Sequence, residues 1–209
     1  MTDAALPVIN AGLGKIAAAE ITTFSNPISP EEAYVVSNYP HWKKQQLLKH
    51  RWHFATQRRN LTQSGEPLED DERPNRFAFP VDGLRPVREK RSDWEQRGKF
   101  LYTNTETLEV LFIVNVPEPD FDELFFDALA CWIAYQSVEY ITQSNTKKEA
   151  IKQEYEEAIR TARRNNAFVT GSERFSDFRD PDTRYRYITD RWNYYPGGFS
   201  SVFPPLDVE

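Results

Sequence analysis

The sequence predicts a mainly α, α+β chain: a helical bundle with one small antiparallel sheet, followed by an extended C-terminal arm. Three observations predict it. Apolar residues recur at three- and four-residue steps over most of residues 4–167. Period-two alternation is confined to about 76–116. Beyond Phe168 both periods stop.

The first helix is expected over 4–19, with Leu6, Ile9, Leu13 and Ile16 on one face. Ser25-Asn-Pro-Ile-Ser-Pro30 is a loop. Its Ser29 is placed to cap the next helix, with Pro30 at the first helical position and Glu32 three residues on. That helix begins at Glu31, turns Ala33, Val36 and Tyr39 inward, is open to a kink at Pro40, and runs to about Phe54. Lys43, Lys44, Lys49 and Arg51 form its polar side. Residues 62–75, with Glu66, Glu69, Asp70, Asp71 and Glu72, are an acidic surface loop.

Strands follow at Arg76–Val81, Leu84–Lys90, Lys99–Asn104 and Thr107–Val116, with Asn104–Glu106 as the turn between the last two. In the last strand Leu108, Val110, Phe112, Val114 and Val116 share one face and Leu111 and Ile113 the other. Apolar residues on both faces imply a strand covered twice, with a neighbouring subunit as one candidate cover. Asp120 with Glu123 resembles a capping box. The helix from Phe121 to about Gln143 is the most apolar element and is expected to be central. A charged helix over about 147–167, started by Thr146 with Glu149, closes a hairpin. Its narrow apolar stripe is Ile151, Tyr155, Ala158, Ile159 and Ala162.

This divides the chain into a domain, 1–167, and an arm, 168–209. The arm's 42 residues hold ten aromatics. A tail this aromatic is too sticky for a solvated linker and too irregular for its own core, so its rings are expected to dock on another surface. Trp192, Tyr194, Tyr195, Phe199 and Phe203 are the candidate partner-binding residues.

Composition narrows the function. Twenty-six Lys and Arg against 32 Asp and Glu leave a net charge of −6, which excludes a globally cationic nucleic-acid binder. One cysteine, Cys131, forms no internal disulfide. No apolar run reaches the ~18 residues of a membrane span, and no signal-peptide pattern opens the chain, so it is expected to be soluble and made in a reducing cytoplasm.

Candidate chemistry is sparse, and neither an enzymatic activity nor a cofactor or metal is expected. Gly12-Leu-Gly-Lys15 fails as a phosphate loop because positions 9 and 16 are both Ile. His50 and His53 have helical metal-ligand spacing but no partner at a zinc-protease spacing, and are expected as surface or capping residues. Cys131 is expected as a small buried hydrophobe. Asp120, Asp122, Glu123 and Asp127 favour a helix N-terminus without catalysis. Two basic runs remain: Lys43 to Arg59, and the residues Lys147, Lys148, Lys152, Arg160, Arg163 and Arg164. A solvated, ion-paired face is the plain reading of each. Sequence-independent contact with DNA phosphates is the sharper one.

The ordered strings also resemble a family. Tyr39-Pro-His-Trp-Lys-Lys-Gln-Gln-Leu-Leu-Lys-His50, then Arg51-Trp-His-Phe-Ala-Thr-Gln-Arg-Arg59, is similar to a helix end of the tail tubular protein A type head-to-tail adaptors of short-tailed bacteriophages. Phe77-Ala-Phe-Pro-Val-Asp-Gly-Leu-Arg85 and Lys99-Phe-Leu-Tyr-Thr-Asn104 resemble that family's strand and following hairpin. Phe121-Asp-Glu-Leu-Phe-Phe-Asp-Ala-Leu-Ala130 and Tyr155-Glu-Glu-Ala-Ile-Arg-Thr-Ala-Arg163 resemble its closing helical pair. The ordered set, spanning about residues 5–167, carries the resemblance rather than any one string. It implies a structural virion protein and not an enzyme. Its copies would form a twelve-fold ring between the portal protein and the tail nozzle protein, with double-stranded DNA passing through the channel without sequence-specific binding. The rival reading is a small non-specific DNA-binding protein that uses the basic helices.

Overall fold

A computed structural model of the chain describes residues 3–66, 72–89 and 93–177, with side chains described as far as Gly171. Its class is α+β: four α-helices and two antiparallel three-stranded sheets. The chain divides into two units between Ala167 and Phe168.

After a 3-10 turn at Asp3–Ala5, α1 spans Leu6–Lys15 and buries Val8, Ile9 and Leu13. It stops short of residue 19 because Ala17 adopts a left-handed conformation (φ 57°). Ala18 N–H then reaches back to Leu13 O and Ala17 N–H to Gly14 O, the pattern of a Schellman stop. Helix α2 spans Pro30–Leu48. Ser29 Oγ accepts from Glu32 N–H at 3.2 Å, while Glu32 Oε2 accepts from Ile28 N–H at 2.7 Å. The cap is where the sequence puts it, and the helix continues through Pro40. Its buried stripe matches expectation in part: Tyr39 faces inward with Trp42 and Leu47, joined by Val35, Lys43 and Gln46, whereas Val36 is half-buried and Ala33 exposed. The helix also ends at Leu48, not near Phe54. Trp52 turns back to give its indole N–H to Gln46 O at 3.1 Å, and that fold-back is incompatible with a continuing helix.

The first sheet has the order β1-β6-β3, from Thr56–Leu61, Leu108–Val114 and Gly83–Val87. The second has the order β2-β5-β4, from Asn75–Ala78, Phe100–Thr103 and Glu95–Arg97. Three expectations change here. There are two sheets, not one. Residues Asn104–Glu106 do not close a hairpin, because β5 and β6 lie in different sheets. Strand β1, Thr-Gln-Arg-Arg-Asn-Leu, is polar up to its last residue and carries no alternation that sequence reasoning could detect. It forms because it pairs along its whole length with β6, Thr56 opposite Ile113 and Leu61 opposite Leu108. Strand β6 is apolar on both faces as expected, but Leu111, Phe112, Ile113 and Val114 are all buried within this one chain, so no neighbouring subunit is needed to cover them.

Helix α3 spans Glu123–Thr142 and buries nine residues, the most of any helix among the described residues. Its N-cap is Asp122, whose carboxylate accepts from Leu124 N–H at 2.9 Å; Asp120 closes a preceding 3-10 turn instead. Helix α1 crosses α3 closely at Gly12, where an added Cβ would lie 2.8 Å from Ala130 O. Helix α4 spans Asn145–Asp177, with Ser144 Oγ accepting from Lys147 N–H at 3.4 Å in place of the expected Thr146 cap. It runs antiparallel to α3, as ladder-like contacts record: Glu139 with Lys148, Trp132 with Tyr155, and Asp122 with Asn165. The expected stripe holds, since Ile151, Tyr155, Ile159 and Ala162 are buried. The helix does not stop at 167. Residues 168–177, assigned to an extended arm from the sequence, are helical. The rest of the arm, 178–209, lies outside the described residues.

Candidate functional site

The hairpin of α3 and α4 positions the basic row. Lys147 is exposed, Lys148 pairs with Glu139, and Lys152 pairs with Glu149 at 3.5 Å. Arg160, Arg163 and Arg164 are exposed and make no ion pair among the described residues. At ~1.5 Å per residue, the last lysine, Lys152, and the first arginine, Arg160, stand about 12 Å apart along the axis. Glu154, Glu156 and Glu157 lie between them. The row is therefore two basic groups split by acids, not one continuous stripe. Trp192, Tyr194, Tyr195, Phe199 and Phe203 lie outside the described residues.

The first basic run disperses. Arg58 meets Glu89 and Glu109, Arg59 meets Asp82, and the Lys49 ammonium sits 4.0 Å from the centre of the Trp132 ring. Lys43, expected on the polar side of α2, is buried at 7% exposure. Its ammonium lies 2.8 Å from Glu118 Oε1, which also accepts from Tyr39 OH at 2.9 Å. This trio borders a cleft of about 160 Å³ walled by Ala5, Phe24 and Pro40. Burial alone would raise the Glu118 carboxyl, but the Lys43 ammonium, a backbone N–H and the Tyr39 hydroxyl hold it below the usual carboxylate range. Burial and the Glu118 charge together push the Tyr39 hydroxyl far up, so it stays a donor. Sequence reasoning missed this pair. The available signal was the four-residue step from Tyr39 to Lys43 and on to Leu47, which puts the lysine on the inward stripe.

The remaining candidates each meet partners within the fold. Gly12-Leu-Gly-Lys15 is the end of α1, and Lys15 pairs with Glu154 at 2.5 Å and Asp127 at 3.3 Å. Burial works against the Lys15 ammonium, yet those two carboxylates hold it well above its ordinary value. Cys131 is buried, and burial pushes its thiol up to about 11, opposite to what a nucleophile requires. His50 and His53 do not share a helix face. They lie in the turn after α2 and both meet Asn166 of α4. No group of three metal-ligating side chains exists among the described residues. Asp122 caps α3, and Asp127 pairs with Lys15. No described helix is long and apolar enough to cross a membrane. Neither a family model nor a curated protein matches this chain.

Proposed function

We propose that the chain is a structural virion protein: one subunit of a head-to-tail connector ring that joins the portal protein to the tail nozzle protein and continues the DNA channel. The observation that carries this reading is the ordered set of strings from Tyr39 to Arg163, which resembles the tail tubular protein A type adaptors of short-tailed bacteriophages. A domain that buries its own core in one chain supports it, because a ring subunit must be rigid before it assembles. A heterologous contact repeated around a closing rotation then gives a ring. The protein would be a non-enzymatic part of the virion tail, present in twelve copies, made in the host cytoplasm, with DNA enclosed rather than gripped.

One observation favours the rival, a small protein that binds DNA without sequence preference. Arg160, Arg163 and Arg164 are exposed with no ion pair among the described residues, as phosphate-binding arginines would be. Negative-stain imaging of the purified protein, alone and mixed with the portal protein, separates the two. The connector reading expects rings seated on one end of the portal. Monomers or dimers that ignore the portal and bind DNA with steep salt dependence would replace it with the rival.

A further inference from the structure

The pair of histidines singled out by their spacing has a different use from metal binding. Asn166 is 4% exposed and is the last buried residue along the described part of α4; Ala167, Phe168, Val169 and Thr170 after it are exposed. Its amide ties α4 to the turn after α2. Oδ1 accepts from His53 N–H at 2.7 Å, and Nδ2 donates to Arg51 O at 2.9 Å. Those two backbone groups cannot exchange roles, since an N–H only donates and a carbonyl only accepts. They fix which way the amide points, and hence what each imidazole must do. His53 Nδ1, 3.1 Å from Oδ1, must carry a proton. His50 Nε2, 3.1 Å from Nδ2, must be an unprotonated acceptor. The bond made by His53 survives protonation of its ring; the bond made by His50 does not.

We propose that Asn166 and His50 form an acid-released latch, which holds the Lys49–Ala55 turn against α4 while the His50 ring is neutral and loosens that hold when the ring gains a proton. Protonation would place an N–H of His50 against the Asn166 N–H₂ group, turning an attraction into a repulsion. The surroundings add to the effect. Arg163 faces His50 from α4. The Trp52 ring packs edge-to-face with the imidazole at 4.9 Å between centres. Lys49, Arg51 and His53 bring further positive or protonatable groups from the turn itself. From the start of α3, Asp122 is engaged by Asn165, the residue before the latch, at 3.3 Å. Burial first, and Arg163 second, hold His50 below the ordinary imidazole range, so the latch is closed at neutral pH and opens on the acid side.

Hydrogen–deuterium exchange of the full chain, corrected for the intrinsic pH dependence, tests this between neutral pH and about pH 5. Segments 49–55 and 160–171 should exchange several-fold faster at the acid end, with α1 and α3 unchanged. In His50→Gln, whose amide oxygen accepts at every pH, the acid response of those segments should vanish. Should that variant not fold, ring-proton NMR of the unaltered chain reads His50 directly, and the imidazole should titrate below the ordinary range. A flat exchange profile in the unaltered chain overturns the proposal. So does an acid response that persists in His50→Gln, or a His50 ring that titrates at or above the ordinary value.

Discussion

Lys43 and Glu118 are an ion pair in a place that water barely reaches, with side-chain exposures of 9% and 13%. Such a pair is costly to desolvate and costlier to break. Losing one member strands the other, typically at about 3–5 kcal/mol, whereas replacing both with apolar groups of similar volume is often near neutral. Glu118→Ala and Lys43→Ala should each lower stability by roughly that amount, and Lys43→Met with Glu118→Leu should recover most of it. Urea unfolding of the three variants checks this; equal losses in all three would mean that packing, not the charge pair, matters there. The pH dependence has a definite sign. The folded carboxyl of Glu118 lies below its unfolded value, so its contribution is fully present above the unfolded value and is lost as pH falls through the folded one. Stability measured from about pH 5 downward should therefore fall less steeply in Glu118→Gln than in the unaltered chain.

At the scale of elements, α1 and α3 meet through a glycine that has a neighbour within four residues as a control. A Cβ on Gly12 would approach Ala130 O to 2.8 Å and Ile133 Cβ to 3.0 Å, and neither can swing aside. Gly14, two residues on, has nothing within 4 Å of the same position. Gly12→Ala should destabilise by about 1–3 kcal/mol through overpacking. Gly14→Ala should stabilise by about 0.4–1 kcal/mol by restricting the unfolded chain. Thermal unfolding of both checks the pair; two shifts of the same sign would place the helix contact elsewhere. Ala17 belongs to the same junction. It holds a left-handed conformation that favours glycine, and Ala17→Gly should raise stability by up to about 1 kcal/mol, read from the same unfolding curves.

For the whole molecule, the question is where the folded unit ends. Helix α4 carries regular backbone to Asp177, while its last buried side chain among those described is Asn166. Deleting residues 178–209 should leave a folded domain with its helical signal intact, because every buried core residue described precedes that cut. The deletion removes Trp192, Tyr194, Tyr195, Phe199 and Phe203, and under the connector reading ring assembly or docking on the portal should fail. Circular dichroism with imaging on the portal checks both halves. Unchanged assembly would deny the arm its role, and loss of the fold would show that the arm belongs to the core. The isolated protein should also bind DNA weakly and without sequence preference, since a net charge of −6 repels phosphate over most of its surface.

The sequence by itself determined what depends on near neighbours along the chain. The Ser29 cap, the apolar α3, the stripe on α4 and the two-faced β6 each follow from spacing within one or two turns or one strand, and each is present. The burial of Cys131 followed from its place on α3. The tertiary structure decided whatever depends on partners far off in sequence. Strand β1 exists because β6, about fifty residues away, supplies its pairing, and the split into two sheets is likewise a choice of partners. The end of α2 is decided by the fold-back of Trp52 onto Gln46. Lys43 is buried because Glu118, 75 residues on, neutralises it, and the two histidines meet Asn166 instead of each other. A polar residue's fate depends on whether a distant group can satisfy it, and local periodicity carries no record of that group.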